Sequence, residues 1–554
     1  MIVSVGLLGL AWKTAAATDD LAVVDLKLAD YLQQVMQHNE SVQAQMLEAE
    51  VARHKNQAET GIFEPQLDAS FNREANSRTN NVVQQAAQNG EGYFSERNNI
   101  YDTGLESLMP TGGKVRLGYT LSDLGNNVNP YGNVFTSTNQ IWTKQYQTFV
   151  GATFTQPLLK NGGLTPTLAS LRLSALESDI AFQSYRQQLT LTIFRAEAAY
   201  WNLYFSQEQL HFFDQSVAVA QNVLDDSREK LKAGQGAELD VLEAQSALAL
   251  RNTKRNDALQ NYFDAQGGLQ LLLGNPNPPR HYSYDALGHR QIYVDASAPP
   301  RPDGTNGLAF HVVDTPRETS PAISYADNFQ QAFELNPDYL IQQEKTDQER
   351  VRLGFAKNQL LPDLNFKVAY GYNGLGRSPE SSWDMVESHD FVSWALGVEL
   401  SVPLAGNIKG RNLYQASKIS LDEAYVRLRG VQTEIANGLN TAIQKADAWE
   451  QSIQSYQTMV QFNEELLKTQ LERFKAGRVD GHKVLEVEAD LLDARQELAN
   501  ALTQYQRALL QVELTAGTLL KNRHLDLTRQ ELKRQTTAWL HGESASASSR
   551  VYSN

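Results

Sequence analysis

The sequence predicts an internally duplicated α+β membrane protein. About four amphipathic strands per chain would close by trimerisation into a β-barrel, continued by long helices packed as an α-helical barrel. Three observations point there. Blocks of the first half recur in the second at fixed offsets, each block carries strands that alternate apolar and polar residues, and each ends in a helical stretch of unusual length. Composition narrows the field further. The 554 residues carry a net charge of −15, from 49 basic against 64 acidic side chains, and no cysteine. An acidic surface is a poor partner for a phosphate backbone, so no nucleic-acid partner is expected. Without cysteine there is no disulfide, no thiol nucleophile and no Cys-ligated metal.

The duplication is read directly from the letters. Leu28-Ala29-Asp30-Tyr31 and Tyr325-Ala326-Asp327-Asn328 both open helical stretches, and Asn39 with Asn336 and Pro65 with Pro362 keep the same offset of 297. Further on, Lys232-Ala233-Gly234 matches Lys475-Ala476-Gly477, and Val241-Leu242-Glu243 matches Val484-Leu485-Glu486, at an offset of 243. Pro157 pairs with Pro403 at 246, so the first copy carries 51 additional residues between Pro65 and Pro157. Such constant registers over long spans mark a repeat. The predicted organisation is a first repeat over 18–273, a Pro/Gly-rich connection over 274–321, a second repeat over 322–524, and a polar tail over 525–554 expected to be disordered.

Each strand follows from period-two alternation. Leu67, Ala69 and Phe71 alternate with Asp68, Ser70 and Asn72 after Pro65. Leu364, Phe366, Val368, Tyr370 and Tyr372 do the same after Pro362. The return strands hold Val150, Ala152 and Phe154 in one copy, and Val392, Trp394, Leu396, Val398, Leu400 and Val402 in the other. On the strands alone a soluble sandwich fits as well as a barrel wall. The additional residues read as a hairpin within 75–145, with Pro110-Thr111-Gly112-Gly113 at its turn and polar loops at about 75–99 and 125–145. Whether its strands join the others is left open; if both did, each chain would supply six.

The helices decide between the alternatives. From about residue 164 to 231 no proline follows Pro166, a stretch about 100 Å long if helical. Leu210, Phe213, Val217, Ala220, Leu224 and Leu231 form a heptad-like seam, duplicated as Ile453, Tyr456, Val460, Asn463, Leu467 and Phe474. Lys-Ala-Gly ends each long helix, where glycine suits a left-handed C-terminal position, and a second helix returns. Open sheet edges do not survive in a membrane, so strands too few to close must oligomerise. Three copies would supply about twelve, within the range of closed barrels, and the same symmetry would gather the hairpins into a tube. Such an object is a conduit.

At the N-terminus, residues 2–12 form an apolar run followed by Ala15-Ala16-Ala17. Residues 1–17 are expected to be a signal peptide, although the usual basic start is missing.

These residues together resemble the TolC-like outer membrane efflux protein family. The resemblance lies in the opening Ala-Asp helices, in Glu64-Pro65-Gln66-Leu67 and Leu361-Pro362-Asp363-Leu364, in the segment from Phe154-Thr155-Gln156-Pro157 to Asn161-Gly162, and in the tip motif Lys475-Ala476-Gly477 with Val484-Leu485-Glu486. It implies a homotrimer in the cell outer membrane, contacting its lipid, with a large periplasmic tunnel and no cofactor or metal. A periplasmic adaptor and an inner-membrane transporter would be its partners. Pro65, Pro157, Pro362 and Pro403 would mark entry to the barrel. Adaptor contact is expected at residues 232–236 and 475–479, hence at Lys232, Gly234, Gln235, Lys475, Gly477 and Arg478.

One departure touches the tunnel entrance. The family narrows its tunnel with acids in an Asp-Val-Leu-Asp-like pattern, and the second copy has Lys483-Val484-Leu485-Glu486 there. The first copy keeps Asp240-Val241-Leu242-Glu243. Asp240, Glu243, Lys483 and Glu486 are therefore the candidate gate, with Lys483 expected to pair with a neighbouring acid. A plain alternative is that these are solvated charges at helix starts. Efflux is favoured over one-step protein secretion through the same kind of duct. An enzyme is disfavoured, because the ten histidines are scattered and no hydrolase or phosphate-binding motif occurs. A soluble coiled-coil scaffold is disfavoured by the strands.

Overall fold

The computed structural model describes residues 23–87, 92–127, 143–274, 281–284, 290–293, 309–319 and 322–541. The expected signal peptide, residues 1–17, lies outside them. The first copy begins with strand β1 (Val23–Leu26) and helices α1 (Leu28–His38) and α2 (Glu40–Glu59). Strand β2 (Gln66–Thr79), the short helix α3 (Val82–Ala87), β3 (Tyr93–Leu108), β4 (Lys114–Asn126) and β5 (Thr143–Pro157) follow. The turn α4 (Leu164–Thr167) leads into α5 (Ala169–Lys232), 64 residues without a break, and α6 (Glu238–Leu273) returns. The connection holds the short strands β6 (His281–Tyr284), β7 (Arg290–Tyr293) and β8 (Ala309–Val312).

The second copy repeats the plan. It runs α7 (Tyr325–Leu335), α8 (Pro337–Asn358), β9 (Asp363–Gly376), α9 (Pro379–Glu387), β10 (Val392–Ser401), α10 (Ile408–Lys475) and α11 (Gly481–Ala516). The turn α12 (Leu519–Asn522) and helix α13 (Arg529–His541) close the described chain. Helix α13 corrects the expectation of a disordered tail from 525. Thr528 and Glu531 form a reciprocal cap at its start, Thr528 N donating to Glu531 Oε2 at 2.8 Å, and Leu532 and Thr536 are buried. Residues 542–554 lie outside the described residues.

The repeated asparagines do the same job in both copies. Asn39 breaks α1 from α2 and Asn336 breaks α7 from α8, each carboxamide oxygen accepting backbone N–H groups of the next turn. Their amide nitrogens donate to the carbonyls of Leu272 at 3.1 Å and Thr515 at 3.0 Å, themselves 243 apart. The duplicated corner is thus one set of contacts made twice.

The chain folds into two compact units. One, formed by Ala49–Ala181 and Ile341–Gly430, holds a six-stranded antiparallel sheet in the order β10-β9-β5-β4-β3-β2. Of the two strand counts left open by the sequence, four or six per chain, the sheet has six. The inserted hairpin β3–β4 lies within the sheet, and residues 75–79 and 93–99, expected as loop, are strand. Its Gly112 takes φ +85° in the turn, while Met109 and Gly113 are joined by a 2.7 Å backbone bond. Pro65 and Pro362 immediately precede β2 and β9, Pro157 ends β5, and Pro403 follows β10.

The sheet has two unlike faces. One row across it reads Leu67, Leu105, Leu117, Ala152, Tyr370 and Trp394, and the adjacent row on the other face reads Asp68, Gly104, Gly118, Gly151, Gly371 and Ser393. Polar pairs occupy the second face: Lys114–Glu106, Arg116–Asp102 and Lys367–Glu399. The first face leaves Leu67, Leu117, Tyr370, Trp394, Leu396 and Val398 exposed. Every residue of β2 and β10, the two edge strands, is exposed.

The other unit contains both helical hairpin ends. Strand β1 pairs in parallel with β8, and the buried Tyr200 hydroxyl sits 2.6 Å from Asp314 Oδ2 beside them. Burial and that carboxylate raise the Tyr200 pKa. Helix α11 is the most deeply packed element here, burying Val484, Leu485, Leu491, Leu492, Tyr505 and Val512 among others. Helix α6 is shallower and leaves Leu239, Leu242, Leu250, Phe263 and Leu271 exposed. The expected seam is buried at Phe213, Ala220, Leu224, Ile453, Leu467 and Phe474, but Leu231 is exposed.

Candidate functional site at the hairpin tips

The two tips are built alike. In the first, Ala233 N donates to Glu229 O at 3.0 Å, Gly234 N to Leu231 O at 3.0 Å and Gln235 N to Lys230 O at 2.9 Å. In the second, Ala476, Gly477 and Arg478 make the same three bonds, to Glu472, Phe474 and Arg473, at 3.0, 3.0 and 2.9 Å. Gly234 and Gly477 take φ of +72° and +70°, a left-handed closure that glycine adopts without the backbone penalty a side chain would bring. Lys232, Gly234, Gln235, Lys475, Gly477 and Arg478 are all exposed.

Beneath the turns the hairpins share one apolar cluster. Ala220, Val223 and Leu224 of α5 meet Ala244 of α6, Leu467 and Phe474 of α10, and Val484, Leu485, Val487 and Leu491 of α11. Gly481, the first residue of α11, is buried there, and a Cβ would come within 3.0 Å of Val223. Lys230 spans the two tips. Its Nζ donates to Phe474 O at 2.8 Å and lies 3.4 Å from the centroid of the Phe474 ring.

The four gate candidates do different things. Asp240 turns back on its own helix, its Oδ2 accepting from Ala237 N at 3.1 Å. The second tip uses the reciprocal bond: Asp480, the residue before α11, accepts from Lys483 N through its Oδ1 at 3.0 Å. The capping carboxylate has moved three residues, which frees the Asp240-equivalent position for Lys483. Lys483 Nζ then bonds Glu486 Oε2 at 2.7 Å, one turn along α11. That bond raises the Lys483 pKa and holds Glu486 below the usual carboxylate range. Glu243 stands apart from this pair, 3.9 Å from His482 Nδ1.

A pair that sequence reasoning missed lies deeper. Arg251 Nε and Nη2 reach Glu488 Oε2 at 2.9 and 2.5 Å, and Nη2 also donates to Leu485 O at 3.0 Å. Both side chains are buried, and the pair ties α6 to α11 across the two hairpins. Their repeat equivalents are Ala494 and Gln245, so nothing in the repeat pattern flags them. Alongside, α10 and α11 border a groove of about 490 Å³ lined by Glu464, Leu467, Lys468, Glu472, Lys475 and Arg495. Among the described residues no group of histidines and carboxylates is arranged to hold a metal, and no helix is long and apolar enough to cross a membrane.

A two-faced sheet with strands of 10 to 16 residues, long enough to cross a bilayer, combined with paired helical hairpins, defines a membrane channel class. The family described as outer membrane efflux protein matches residues 112–275 and 328–518. The chain belongs to that family. It is similar to the outer membrane protein TolC of Vibrio cholerae, 24% identical over 393 residues, covering 68% of this chain and 78% of TolC. It is also similar to the proteases secretion protein PrtF of Dickeya chrysanthemi, 23% identical over 394 residues, covering 69% and 75%. The fold matches the CmeC outer membrane channel of Campylobacter jejuni with a TM-score of 0.55 at 14% identity, over 94% of this chain and 89% of CmeC. The protein is an outer-membrane efflux channel with a large periplasmic portion.

Proposed function

We propose that the channel works as a homotrimeric duct in a tripartite export system, taking substrate from an inner-membrane transporter and a periplasmic adaptor and releasing it outside the cell. The observation that carries this reading is the sheet. One face is apolar enough for lipid, and neither outer edge, of β2 or β10, is paired among the described residues, which a membrane does not tolerate in a monomer. The helices agree, because α6 exposes Leu250 and Phe263 while α10 exposes Met459, Phe462 and Leu466, apolar surface suited to a neighbouring copy. Substrate would pass without covalent chemistry.

At the tips, Asp240, Glu243, Lys483 and Glu486 form the charged rim of the tunnel entrance. The exposed turns at Lys232, Gly234, Gln235, Lys475, Gly477 and Arg478, with the groove beside Lys475, receive the adaptor. Substituting Gly234 and Gly477 together should impair export with assembly intact; normal export would remove the tips from the adaptor contact. The trimer itself is tested by light scattering of detergent-extracted protein. A protomer of 61.8 kDa predicts about 180 kDa, recovered from the outer-membrane fraction. A monomer from the soluble fraction would overturn the duct. A second reading, one-step protein secretion, is favoured by the similarity to a proteases secretion protein. Loss of the gene sensitising cells to small toxic compounds supports efflux, whereas loss of a secreted protein supports the second reading.

A further inference from the structure

The hairpin β3–β4 is part of the wall. Its thirteen or more paired positions run in unbroken register with β2 on one side and β5 on the other, from Gln66↔Glu106 through Glu106↔Arg116 to Arg116↔Thr153. The pleat agrees as well. Leu105 and Leu117 continue the apolar row, and Gly104 and Gly118 continue the glycine row on the polar face. A hairpin folded over the sheet as a plug would not share both faces with its neighbours.

The polar face of the hairpin is furnished rather than bare. Arg116 pairs with Asp102, which also accepts from Thr120 Oγ1 at 2.7 Å, and Lys114 pairs with Glu106 at 3.3 Å. The Arg116 guanidinium lies flat over Gly104, where a Cβ would sit 2.9 Å from its Nε, and the Phe149 ring lies flat over Gly151 and Gly371 in the same row. The glycines let bulky side chains lie against the wall.

Six antiparallel strands are an even number, so the two edges, β2 and β10, run in opposite directions. Identical copies can therefore join edge to edge as antiparallel neighbours and close a ring. We propose that the assembled outer pore is an eighteen-stranded barrel, three copies of six strands, in which the β3–β4 hairpin is a width-setting insert that lines the pore with paired charges. This rests on the trimer proposed above. Diameter grows roughly in proportion to strand number, so the pore is about 1.5 times as wide as one built from four strands per chain. Barrels of that size hold an aqueous channel.

The chain has no cysteine, so introduced pairs report cleanly. Val398→Cys on β10 is combined in turn with Leu67→Cys, Ala69→Cys, Phe71→Cys, Arg73→Cys or Ala75→Cys on β2, in the full-length protein in outer membranes. At least one combination should oxidise to a ladder of covalent oligomers ending at three chains. The control pair is Ala69→Cys with Val150→Cys. In the six-stranded sheet β3 and β4 separate these positions by about 14 Å, beyond the roughly 7 Å a disulfide bridges, so it should stay reduced. A within-chain bridge between positions 69 and 150 would mean that β2 pairs with β5, and would overturn the eighteen-stranded barrel while leaving the trimer standing. A ladder ending at another number would instead overturn the trimer. No intermolecular bridge from any of the five, with the trimer mass intact, would also overturn the edge pairing.

Discussion

The two hairpin tips share a backbone and differ in what their side chains do with it. Three turn hydrogen bonds and one left-handed glycine recur at both, within 0.1 Å of one another. Yet Leu242 is exposed where Leu485 is buried, and Leu231 is exposed where Phe474 is buried under Lys230. The first copy uses its acid at the third helical position as a cap, and the second caps with Asp480 and places a lysine there. The two ends are equivalent in the repeat, and the second is the more deeply packed. Charge follows the same logic: Arg251 of the first hairpin meets Glu488 of the second, where the repeat would place Ala494 and Gln245.

The largest test of that asymmetry is the buried pair. Arg251→Ala leaves Glu488 charged and unpartnered in a buried site, which costs on the order of 3–5 kcal/mol. Amide hydrogen exchange over the first turns of α11 should accelerate accordingly. The double variant Arg251→Met, Glu488→Leu removes both charges and should recover most of the protection. Equal exchange in the single and double variants would show that the pair holds nothing in place.

Where the asymmetry is absent, the effects should match. At Gly234 and Gly477 no atom lies within 4 Å of where a Cβ would sit, so Gly→Ala at either carries only the left-handed backbone penalty. That is about 1–2 kcal/mol at each tip. Fraying measured by exchange should rise equally in Gly234→Ala and Gly477→Ala, and a response confined to one tip would break the equivalence of the turns.

How far the molecule could be read from its letters follows from what is local. Repeats, strand alternation, the entry prolines and the Lys-Ala-Gly turns are short-range signals, and the motifs around Pro65 and Pro362 sit where strands begin. Strand partnership is not local. Thr103 to Leu108 reads as one arm of a hairpin, but its second neighbour is β2, where Thr103 pairs with Ala69, 34 residues back across α3. The parallel pair β1–β8 joins residues 286 apart, Val23 to Ala309, through strands of 4 residues that carry little pattern. Helix α13 escaped because its apolar side is narrow, with Leu532 and Thr536 as its buried positions, and its start depends on a Thr528–Glu531 cap inside a polar run. At the site, Lys483 stood out as a departure from the acidic pattern, whereas Arg251 and Glu488 did not, since each looks like an ordinary helix-surface charge until the two hairpins are packed together.

The capping acids should separate the tips more gently. Asp480 accepts the N–H of the third helical residue, so Asp480→Ala should cost about 1 kcal/mol and expose the Lys483 N–H to exchange. Asp240 instead satisfies the N–H of Ala237, outside the first turn, and Asp240→Ala should fray α6 less. The reverse order would mean that the cap did not move between copies.

The smallest effect expected on stability, and the one closest to gating, is at Lys483. Its bond to Glu486 raises the lysine pKa and lowers the glutamate pKa, both on exposed side chains. The glutamate's share of the pairing is present above the ordinary carboxylate range and is lost as pH falls through its depressed value. The lysine's share is present below the ordinary lysine range and is lost as pH rises through its raised value. Between about pH 5 and pH 9 both groups stay charged, so the Lys483–Glu486 bond itself should persist across that window. Lys483→Ala leaves Glu486 and Asp490 of each copy without the neighbouring cation, and the second tip becomes more acidic; if the tips line the proposed entrance, ion selectivity follows. Planar-bilayer recordings should then show a stronger preference for cations, weakened by added salt as exposed charges are screened. An unchanged preference at low salt would place Lys483 among solvated helix-start charges, and the departure from the acidic pattern would carry no meaning for the gate.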